Sequence, residues 1–546
     1  MTLLRRHAPE SLLGLVLAAA AALLLALNSG FTFFQDTWAF LLDRQDFSAR
    51  AFFEPHNEHI VVIPVAIEKV LIAVFGMTSA WPEMIVLTLL LLGTAALLFV
   101  YVRRRLGPWP ALLAATVVLF LGPAWQVLLW PFEISLVGST LTGLAMLLAL
   151  DREDRRGDIR ACLLLTLSIG FSSLGVAFAA GALVDVLLQR RRRGLGRLYV
   201  AAIPLAFYAL WYLTYGHDAK SAFSFAHVLQ SPVFLVEGLS ASLGALTGLT
   251  ALANTGEGRP YLGFAVLLVL VALFAYAQRR RPGISPRFWP VAGAATTFWL
   301  LAAFNKTAGR EAPASRYVHV GAIFVLLMAA DLLKGARIAT KGLLAAAAVA
   351  VFAVAVNIGP LSAGADWLDE QSVLTRADTG AIDIASRTVA PYFGLVPQIS
   401  GTGSLINVNA AQYLPAVREH GSPGYSPAEL ARAPGQGRRF ADIVLSVALP
   451  LSTKTVVGEY RRRGGAGCVE AGEGGLPLFP GATRIEVAPG PHASFNLRRF
   501  ATGEFPVATE GSPGASTTTL RIPSDKAPQP WVLQVEAEQP VRVCRY

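Results

Sequence analysis

Long apolar runs alternate with short polar gaps over roughly the first two thirds of the chain. Most of these runs approach the roughly 20 apolar residues that cross the hydrocarbon core of a bilayer. The run 162–188 is too long for one span, and the sequence Gly170-Phe171-Ser172-Ser173 predicts a break into two helices. The pattern predicts a mainly α-helical, polytopic membrane protein of about eleven transmembrane helices. The apolar runs are residues 11–27, 84–102, 109–121, 134–150, 162–188, 199–215, 261–277, 288–304, 317–333 and 343–358.

Two further apolar stretches are less regular. Residues 60–76 contain Glu68 and Lys69, and a charged pair is costly at the centre of a bilayer. We therefore expect a partly re-entrant helix on the outer membrane surface. Residues 232–253 are only moderately apolar, and we expect a helix packed on the same surface.

The chain becomes polar and rich in Gly, Pro and Ser after residue 358. A helix is predicted over residues 365–388. Short alternating stretches at 483–489, 493–500, 517–523 and 531–538 predict strands of a small β-sandwich-like module. The expected domains are a membrane domain, residues 1–358, with an outer catalytic loop at 29–83, a helical linker at 359–440 and a β-rich module at 441–546.

Composition and charge agree with this organisation. The 546 residues are 54% hydrophobic and 15% charged, against about 25% charged in an average soluble domain. The net charge is +10, but the arginines lie in short gaps between apolar runs, for example at 103–105 and 190–193. This placement is the positive-inside pattern of membrane proteins, and it argues against nucleic-acid binding, which requires one continuous basic face.

Orientation follows from the same rule. Arg5 and Arg6 precede the first apolar run, so we expect a cytoplasmic N-terminus in the cell membrane and an extracytoplasmic C-terminal region. Cys468 and Cys544 of that region would then form a disulfide bond. In a cytoplasmic tail the same two residues would be free thiols. Cys162 is expected to be a small core residue.

The most polar stretch is the loop FFQDTWAFLLDRQDFSARAFFEPHNEHI, which follows the first apolar run. Asp36 lies near the outer end of that run, where partial desolvation can tune a general base. The alternative is a helix-capping residue, with Trp38 in the interfacial aromatic belt. The cluster at 54–59 can bind an acceptor hydroxyl, a phosphate or a divalent metal ion, or it can be a polar helix start. Its polar members are Glu54, His56, Asn57, Glu58 and His59.

Two other outer segments carry candidate residues. Glu133 is the single acid between residues 107 and 150, and an acid near a bilayer is a functional hypothesis; a residue at the membrane interface is the alternative. Arg310, Arg316 and Tyr317 lie between two late spans, and guanidinium groups suit phosphate. Pairing with Glu311 or with lipid headgroups is the alternative for these arginines.

The segments DTWAFLL, EPHNEHIVVIP, YVRRRLGPW, LLWPFEIS and SRYVHV resemble the GT-C superfamily of polytopic glycosyltransferases. This superfamily includes protein mannosyltransferases and the arabinose and aminoarabinose transferases. The segments more closely resemble a group of actinobacterial integral membrane proteins of that layout. The resemblance covers most of residues 1–358.

The resemblance implies an inverting transfer of a sugar from a polyprenyl-phosphate donor to an extracytoplasmic glycan, glycolipid or protein. Asp36 matches the catalytic acid of the first outer loop, although the paired acid of many members is here Thr37. Glu133 matches a second outer-loop acid. Arg316, and after it Arg310, would bind the lipid phosphate. The residues of the 54–59 cluster match loosely. No cofactor is assigned, and a divalent metal ion at this cluster is left open.

Two other functions remain open from the sequence. A transporter or flippase for a lipid-linked or other polar solute would use a similar span count, although no internal repeat is evident. A non-catalytic membrane anchor that displays the tail to a partner is the third hypothesis.

Overall fold

The computed structural model describes most of the chain and divides it into two compact units. The first unit contains residues 1–29, 46–70 and 81–367, and the second contains 30–45, 71–80 and 368–546. Two pieces of the predicted outer loop therefore belong to the unit that contains the C-terminal region. Arg5 and Arg6 lie outside the described residues. The residues not described are 1–7, 220–221, 253–260, 281–282, 308, 337, 396–407, 459–467, 472–474, 491, 538–540 and 546.

Helices make up the first unit and the start of the C-terminal region. In chain order they are α1 (Ala8–Leu27), α2 (Asp36–Leu42), α3 (Ala49–Phe53), α4 (Val62–Phe75), α5 (Trp81–Leu106), α6 (Pro108–Leu119), α7 (Trp125–Leu129), α8 (Ile134–Leu150), α9 (Arg155–Phe171), α10 (Gly175–Leu188), α11 (Arg190–Arg193), α12 (Tyr199–Thr214), α13 (Phe225–Leu246), α14 (Leu249–Leu252), α15 (Tyr261–Arg280), α16 (Phe288–Phe304), α17 (Ser315–Leu332), α18 (Thr340–Ala385), α19 (Ala410–His420), α20 (Pro427–Leu430) and α21 (Gly435–Ala448). Short 3-10 turns lie at Gly122–Ala124, Pro131–Glu133, Leu195–Leu198 and Gly216–Asp218.

The predicted polytopic, mainly helical fold is confirmed. Among the described residues, seven helices are long and apolar enough to cross a membrane. A bent pair, α6 with Gly122–Leu129, gives an eighth, and three shorter apolar helices follow. The seven long helices, the bent pair and the three shorter helices fit the predicted number of about eleven spans. The set of helices differs from the predicted set in two places: it includes α13, and it does not include α9. The seven long helices are Ala8–Leu27, Trp81–Leu106, Pro131–Leu150, Leu195–Thr214, Phe225–Leu246, Ser315–Leu332 and Thr340–Ala385.

The predicted break in the run 162–188 is present. Helix α9 ends at Phe171 and α10 begins at Gly175. A side chain at Gly175 would come within 2.4 Å of the Ile169 backbone nitrogen, so the close reversal requires glycine. One apolar run therefore forms two antiparallel helices.

The prediction of a surface helix over residues 232–253 is wrong both in the bounds of the helix and in its placement. Helix α13 begins at Phe225, where the Ser224 side chain accepts a hydrogen bond from the His227 N–H. Pro232 lies inside the helix instead of near its start. Residues 240–245 are buried, and Gly238 lies against the Trp299 ring. Small residues therefore let this helix pack into the bundle.

Buried ion pairs join many helix ends at one end of the first unit, here called the arginine end. Arg105 of α5 pairs with Asp331 of α17 and, at 3.1 Å, with Asp151, which follows α8. Arg287 precedes α16 and lies 2.7 Å from Asp185 of α10. Because a buried charge is stable only when it is paired, these contacts determine which helix ends meet.

The network continues to helices α9 and α12. Arg197 precedes α12 and lies 2.8 Å from Asp158 of α9 and 3.0 Å from Asp185. Glu10 of α1 lies 2.8 Å from Arg103 of α5. The arginine end thus contains the starts of α1, α9, α12 and α16 and the ends of α5, α8, α10 and α17. This is the alternation that the sequence predicts for these helices.

The second unit contains a two-sheet β-sandwich. In chain order the strands are β1 (Ser452–Val457), β2 (Cys468–Glu470), β3 (Leu476–Leu478), β4 (Gly481–Val487), β5 (Ala493–Arg498), β6 (Val507–Ser512), β7 (Ser516–Ile522), β8 (Trp531–Glu536) and β9 (Val541–Arg545). One sheet has the order β1-β7-β4-β9-β2 and the other β3-β8-β5-β6, with antiparallel pairing throughout. Strands β4, β5, β7 and β8 overlap the four stretches predicted from alternation. In β5 and β8 the buried side chains alternate with less buried ones, as the alternation requires.

The predicted disulfide bond is confirmed. Cys468 of β2 lies directly opposite Cys544 of β9 in the strand register, and their sulfur atoms are bonded. The bond ties an edge strand to the sheet. Cys162 is buried and unbonded, as expected for a core residue.

A buried carboxylate joins helix α21 to the sandwich. Asp442 accepts hydrogen bonds from the backbone N–H groups of Arg499, Phe500 and Ala501 at 2.8–3.0 Å. Arg499 is itself buried in an ion pair with Asp525 at 2.6 Å. The turn after β5 is therefore held on both sides by charge-assisted contacts.

Two acids meet inside the first unit, which the sequence did not predict. Glu68 of α4 and Glu83 of α5 are only 6% and 2% exposed, and their carboxyl groups are hydrogen-bonded. Such a bond requires that the pair share a proton. Burial raises the pKa of Glu68 to about 7, although the hydrogen bond to Glu83 opposes the shift. The shared proton therefore allows the two buried carboxyl groups to lie side by side.

Replacing Glu68 by Gln should remove a pH-dependent loss of stability. The pKa of Glu68 is higher in the folded chain, so the unfolding free energy falls as pH rises from 4.5 through about 7. The Glu68→Gln variant lacks this fall and should be more stable than the wild type above pH 7, by roughly 1–3 kcal/mol. Thermal unfolding in detergent at pH 5 and pH 8 measures the difference. The exposed Glu419→Gln should keep the wild-type profile, and identical profiles for all three proteins would contradict the shared proton.

Replacing Asp442 by Ala should loosen the turn after β5. Three backbone N–H groups lose their acceptor, which costs roughly 1–3 kcal/mol for each group left buried. Amide hydrogen exchange of residues 499–501 in the full chain should become at least tenfold faster. The matched control is Glu504→Ala, because Glu504 is exposed and lies 3.7 Å from exposed Arg439. Unchanged exchange in Asp442→Ala would show that the turn is held elsewhere.

Candidate functional site

The segment EPHNEH forms a tight turn between α3 and α4. The N–H of His56 donates to the carbonyl of His59 at 3.0 Å, and the N–H of His59 donates back at 2.9 Å. Asn57 has a left-handed backbone with φ of 52°, a conformation that Asn adopts more readily than most residues. The turn therefore presents Glu58 and both histidines from a closed backbone ring, while Asn57 is exposed at its tip.

Neighbouring helices hold this turn. The Ile60 N–H donates to the Ser173 hydroxyl, which donates to the Glu58 carbonyl, both at 3.3 Å. Ser173 lies in the reversal between α9 and α10, and the Tyr208 hydroxyl of α12 is hydrogen-bonded to it. The predicted helix break thus supplies the support for the turn.

Glu58 forms an ion pair with Arg310, which is far away in the sequence. The guanidinium of Arg310 donates to the Glu58 carboxylate, and the same carboxylate lies 3.5 Å from His59 Nε2. Burial raises the pKa of Glu58, but His59 and Arg310 lower it more, and the net pKa lies below its usual value. Glu58 is therefore an anion that neutralises Arg310. Its Oε2 atom is buried with no hydrogen-bond partner among the described residues.

His59 is the neutral member of the cluster. Its side chain is about half-exposed, and the protein atoms around the ring desolvate it enough to lower its pKa. The charge of Glu58 opposes the shift, and the cations Arg310 and Arg316 add to it. At neutral pH the ring is therefore an uncharged donor and acceptor. Its Nδ1 atom is buried and has no partner in the described part of the chain.

The first turn of α17 carries Arg316 and Tyr317. The Ser315 hydroxyl accepts a hydrogen bond from the Gln126 N–H at 3.0 Å, which fixes the start of this helix. The charges of both arginines, Glu58 and Glu133 act on the Tyr317 hydroxyl, so these groups lie close together. The Nε atom of Arg316 is buried and has no hydrogen-bond partner among the described residues.

Glu133 lies on the same side of the unit, at the end of the turn Pro131–Glu133 that begins α8. It is buried. The neighbouring Phe132 ring lies 5.1 Å from the His56 ring. The turn thus brings a buried acid towards the histidine cluster, and a catalytic role of Glu133 stays a prediction.

Glu54 is placed differently from the other residues of the cluster. It ends helix α3, and its half-exposed carboxylate lies 3.4 Å from exposed Arg50. Its contact with Arg50 is an ordinary surface pair one helical turn apart. Glu54 thus has an exposed partner, and Asn57 is exposed at the tip of the turn. A contribution of either residue to ligand binding stays a prediction.

Asp36 belongs to the second unit, while the other nine predicted site residues belong to the first. It begins the short helix α2 and is half-buried. Gln35 before it has a left-handed backbone with φ of 44°, which is rare for residues other than glycine and recurs at functional sites. The buried Trp38 ring meets the Tyr413 ring at 6.1 Å, so the helix is anchored on α19.

One buried and one half-buried acid of α18 were not predicted from the sequence. The helix is 46 residues long, roughly 70 Å at 1.5 Å per residue, and its apolar part ends near residue 358, so Asp378 and Asp383 lie beyond the span. Burial raises the pKa of Asp378 to about 8 and that of Asp383 to about 6. Asp383 accepts hydrogen bonds from Ser422 and Tyr413, which lower its pKa in part. Their sequence context, TRADTGAID, is that of an ordinary polar helix.

The cluster in the first unit is suited to an anion. It offers two guanidinium groups, a phenol and a neutral imidazole, and one of the two arginines is already neutralised by Glu58. Among the described residues, no three His, Cys, Asp or Glu side chains converge on a position that could hold a metal ion. The sequence suggested His56 and His59 as ligands of a divalent metal ion, but no set of three such ligands forms around them among the described residues.

No protein-family model matches the chain, and no curated protein matches it. The solved structures that are similar to it include two of one protein. One is ArnT from Cupriavidus metallidurans bound to undecaprenyl phosphate, with 14% identity and a TM-score of 0.46 over 70% of this chain and 82% of that one. Another is ArnT from the same organism in the apo state, with 13% identity and a TM-score of 0.47 over 82% and 93%.

Proposed function

We propose that the chain is an inverting glycosyltransferase that moves a sugar from a polyprenyl-phosphate donor to an extracytoplasmic acceptor. The acceptor would be a cell-wall glycan, a glycolipid or a protein. The observation that carries the proposal is Arg316, whose Nε is buried without a hydrogen-bond partner among the described residues, beside a neutral imidazole and a phenol. A buried guanidinium N–H without an acceptor is costly, and an anionic ligand such as a lipid phosphate would accept its hydrogen bond.

In this proposal the phosphate of the donor binds at Arg316, and Tyr317 and His59 donate hydrogen bonds to its oxygens. Arg310 stays paired with Glu58. The bond between the anomeric carbon and the phosphate oxygen breaks, and the electron pair leaves with the polyprenyl phosphate. The positive groups stabilise the charge that develops on that oxygen.

Asp36 is the proposed general base. It would take the proton of the acceptor hydroxyl as the oxygen attacks the anomeric carbon opposite the leaving phosphate, which inverts the configuration. Its carboxylate is half-buried at the first position of a short helix, directly after the left-handed Gln35. Glu133 would serve as a second acid that orients the acceptor or the sugar.

The proposed orientation places the arginine end of the first unit in the cytoplasm. The arginines 103–105 and 190–193 lie at that end, in accord with the positive-inside rule. The N-terminus would then be cytoplasmic, and the C-terminal region would be outside the cell membrane. The disulfide bond between Cys468 and Cys544 suits an oxidising compartment, and the sandwich would position the acceptor.

Replacing Arg316 by Gln should weaken the binding of undecaprenyl phosphate at least tenfold. The lost charge-assisted hydrogen bonds contribute about 1.5–3 kcal/mol, and about 1.4 kcal/mol corresponds to tenfold in affinity. Native mass spectrometry of the purified chain with undecaprenyl phosphate measures the change. Arg316→Lys should retain part of the affinity, and Arg152→Gln, a change at an exposed arginine paired with Asp154, should retain all of it. Equal affinity in the wild type and Arg316→Gln would reject the phosphate site.

Replacing Asp36 by Asn should abolish sugar transfer and leave folding and lipid binding intact, because the amide cannot accept the acceptor proton. The assay measures undecaprenyl phosphate released from lipid-linked mannose, arabinose or aminoarabinose in membranes that contain acceptors. Asp46→Asn, at an exposed acid of the same loop that contacts Ser48, is the control with wild-type release expected. Full activity in Asp36→Asn would remove this residue from the mechanism. Movement of the lipid-linked sugar across proteoliposomes without release would favour a flippase.

A further inference from the structure

His319 is a buried polar side chain that the proposed mechanism does not use. It is 1% exposed, and both of its ring nitrogens lack a hydrogen-bond partner among the described residues. It lies in α17, which is otherwise apolar from Val318 to Leu327. A histidine at this position therefore lowers the stability of the fold, whereas an apolar residue of similar size would not.

The cost can be stated in order of magnitude. A buried polar atom without a partner destabilises a protein by about 1–3 kcal/mol, and buried polar groups are nearly always satisfied by protein, water or ligand. The uncharged imidazole offers one donor and one acceptor. Two unsatisfied atoms on one ring therefore point to a partner outside the described residues, such as a bound ligand.

The position of His319 connects it with the site. It lies three residues after Arg316 and four after Ser315, so these side chains share one face of α17. The rise between Arg316 and His319 is roughly 4.5 Å. Side chains of an α-helix lean towards its N-terminus, so the ring leans towards Arg316, away from the arginine end.

The same face is directed towards the segment that carries Glu133. The Ser315 hydroxyl is hydrogen-bonded to the N–H of Gln126, a few residues before the turn Pro131–Glu133. Gly321, by contrast, lies two residues after His319 on the opposite side of α17, where it packs against Ser242 and Trp299. His319 therefore lies on the side of α17 opposite Gly321, the side that it shares with Ser315 and Arg316.

We propose that the polar site extends one helical turn inward from Arg316 to His319, and that His319 binds a hydroxyl group of the donor sugar. The inference rests on the proposed function and adds a specificity residue to it. With the phosphate at Arg316, a ring nitrogen one turn away is at the distance of a hydroxyl on the attached sugar ring. A hydroxyl can both donate and accept, which matches the two free ring nitrogens, and an apolar or deoxygenated group at that position would leave them unsatisfied.

The test compares affinities for undecaprenyl phosphate and undecaprenyl phosphoryl-mannose, measured by native mass spectrometry on the full chain. Selectivity is the ratio of the two affinities. We expect His319→Phe to reduce this ratio about tenfold while the affinity for the bare lipid stays unchanged. His319→Gln keeps a donor and an acceptor and should keep most of the ratio. Arabinose and aminoarabinose lipids are measured in the same way, because the sugar is not specified by the site.

Ser240→Ala is the matched control. Ser240 is also buried, in α13, and its hydroxyl likewise has no partner among the described residues. Its removal should leave the ratio as in the wild type. Thermal unfolding in detergent separates folding from recognition, because His319→Phe should unfold at the same or a higher temperature.

The outcomes are distinguishable. An unchanged ratio for every sugar in His319→Phe, with wild-type binding of the bare lipid, would overturn the role of His319 and leave the phosphate site standing. Failure of the wild type to bind either lipid would overturn the proposed function itself. A loss of selectivity in both His319→Phe and Ser240→Ala would also overturn the inference, since it would reflect a general loosening of the bundle.

Discussion

The structure of the first unit depends on the requirement that charges in apolar surroundings are paired. Arg105, Arg287 and Arg197 meet Asp331, Asp151, Asp185 and Asp158 at the arginine end, and each partner comes from a different helix end. An unpaired member would be a buried charge, which costs several kcal/mol. These pairs therefore fix the direction in which the helices run, and the remaining helix ends must meet at the opposite end. The turn at 56–59, the reversal at Ser173 and the start of α17 are consequently neighbours, although they are distant in sequence.

The same requirement separates the roles of the two arginines near the site. Arg310 is paired with Glu58, so it contributes little net charge, and its partner also holds His59 near 3.5 Å. Arg316 keeps a buried Nε atom without a partner in the described chain. The sequence ranked Arg316 first for the phosphate by resemblance. The structure adds a physical reason for the same order, because a guanidinium already neutralised by a carboxylate would have to give up that partner before it could bind a phosphate.

Features that depend on local pattern were predictable from the sequence. The apolar runs, the break at Gly170–Ser173, four strands of the sandwich and the cysteine pair follow from periodicity, glycine and topology. Features that depend on which faces of distant helices pack together could not be predicted from the sequence. The bounds of α13 were missed because Pro232 was taken as a helix start, whereas it lies inside the helix. The Glu68–Glu83 pair, Asp378 and His319 lie in stretches whose neighbours in sequence reveal nothing about their burial, and only the packing of distant helices leaves them inside.

The division into two units changes what the C-terminal region means for the proposed chemistry. Helix α2 has seven residues, too few to be stable alone, and it carries the proposed base at its first position. Its order comes from within the second unit, where Trp38 is buried against Tyr413 and Gln412 is hydrogen-bonded to Asp43. Tyr413 in turn is hydrogen-bonded to the half-buried Asp383 of α18. The C-terminal region therefore supports the segment that contains Asp36, and its sequence is constrained by that support as well as by any acceptor that the sandwich binds. The motif DTWAFLL therefore indicates a helix start from its local sequence, but the helix is stabilised by residues far away in the sequence, such as Gln412 and Tyr413.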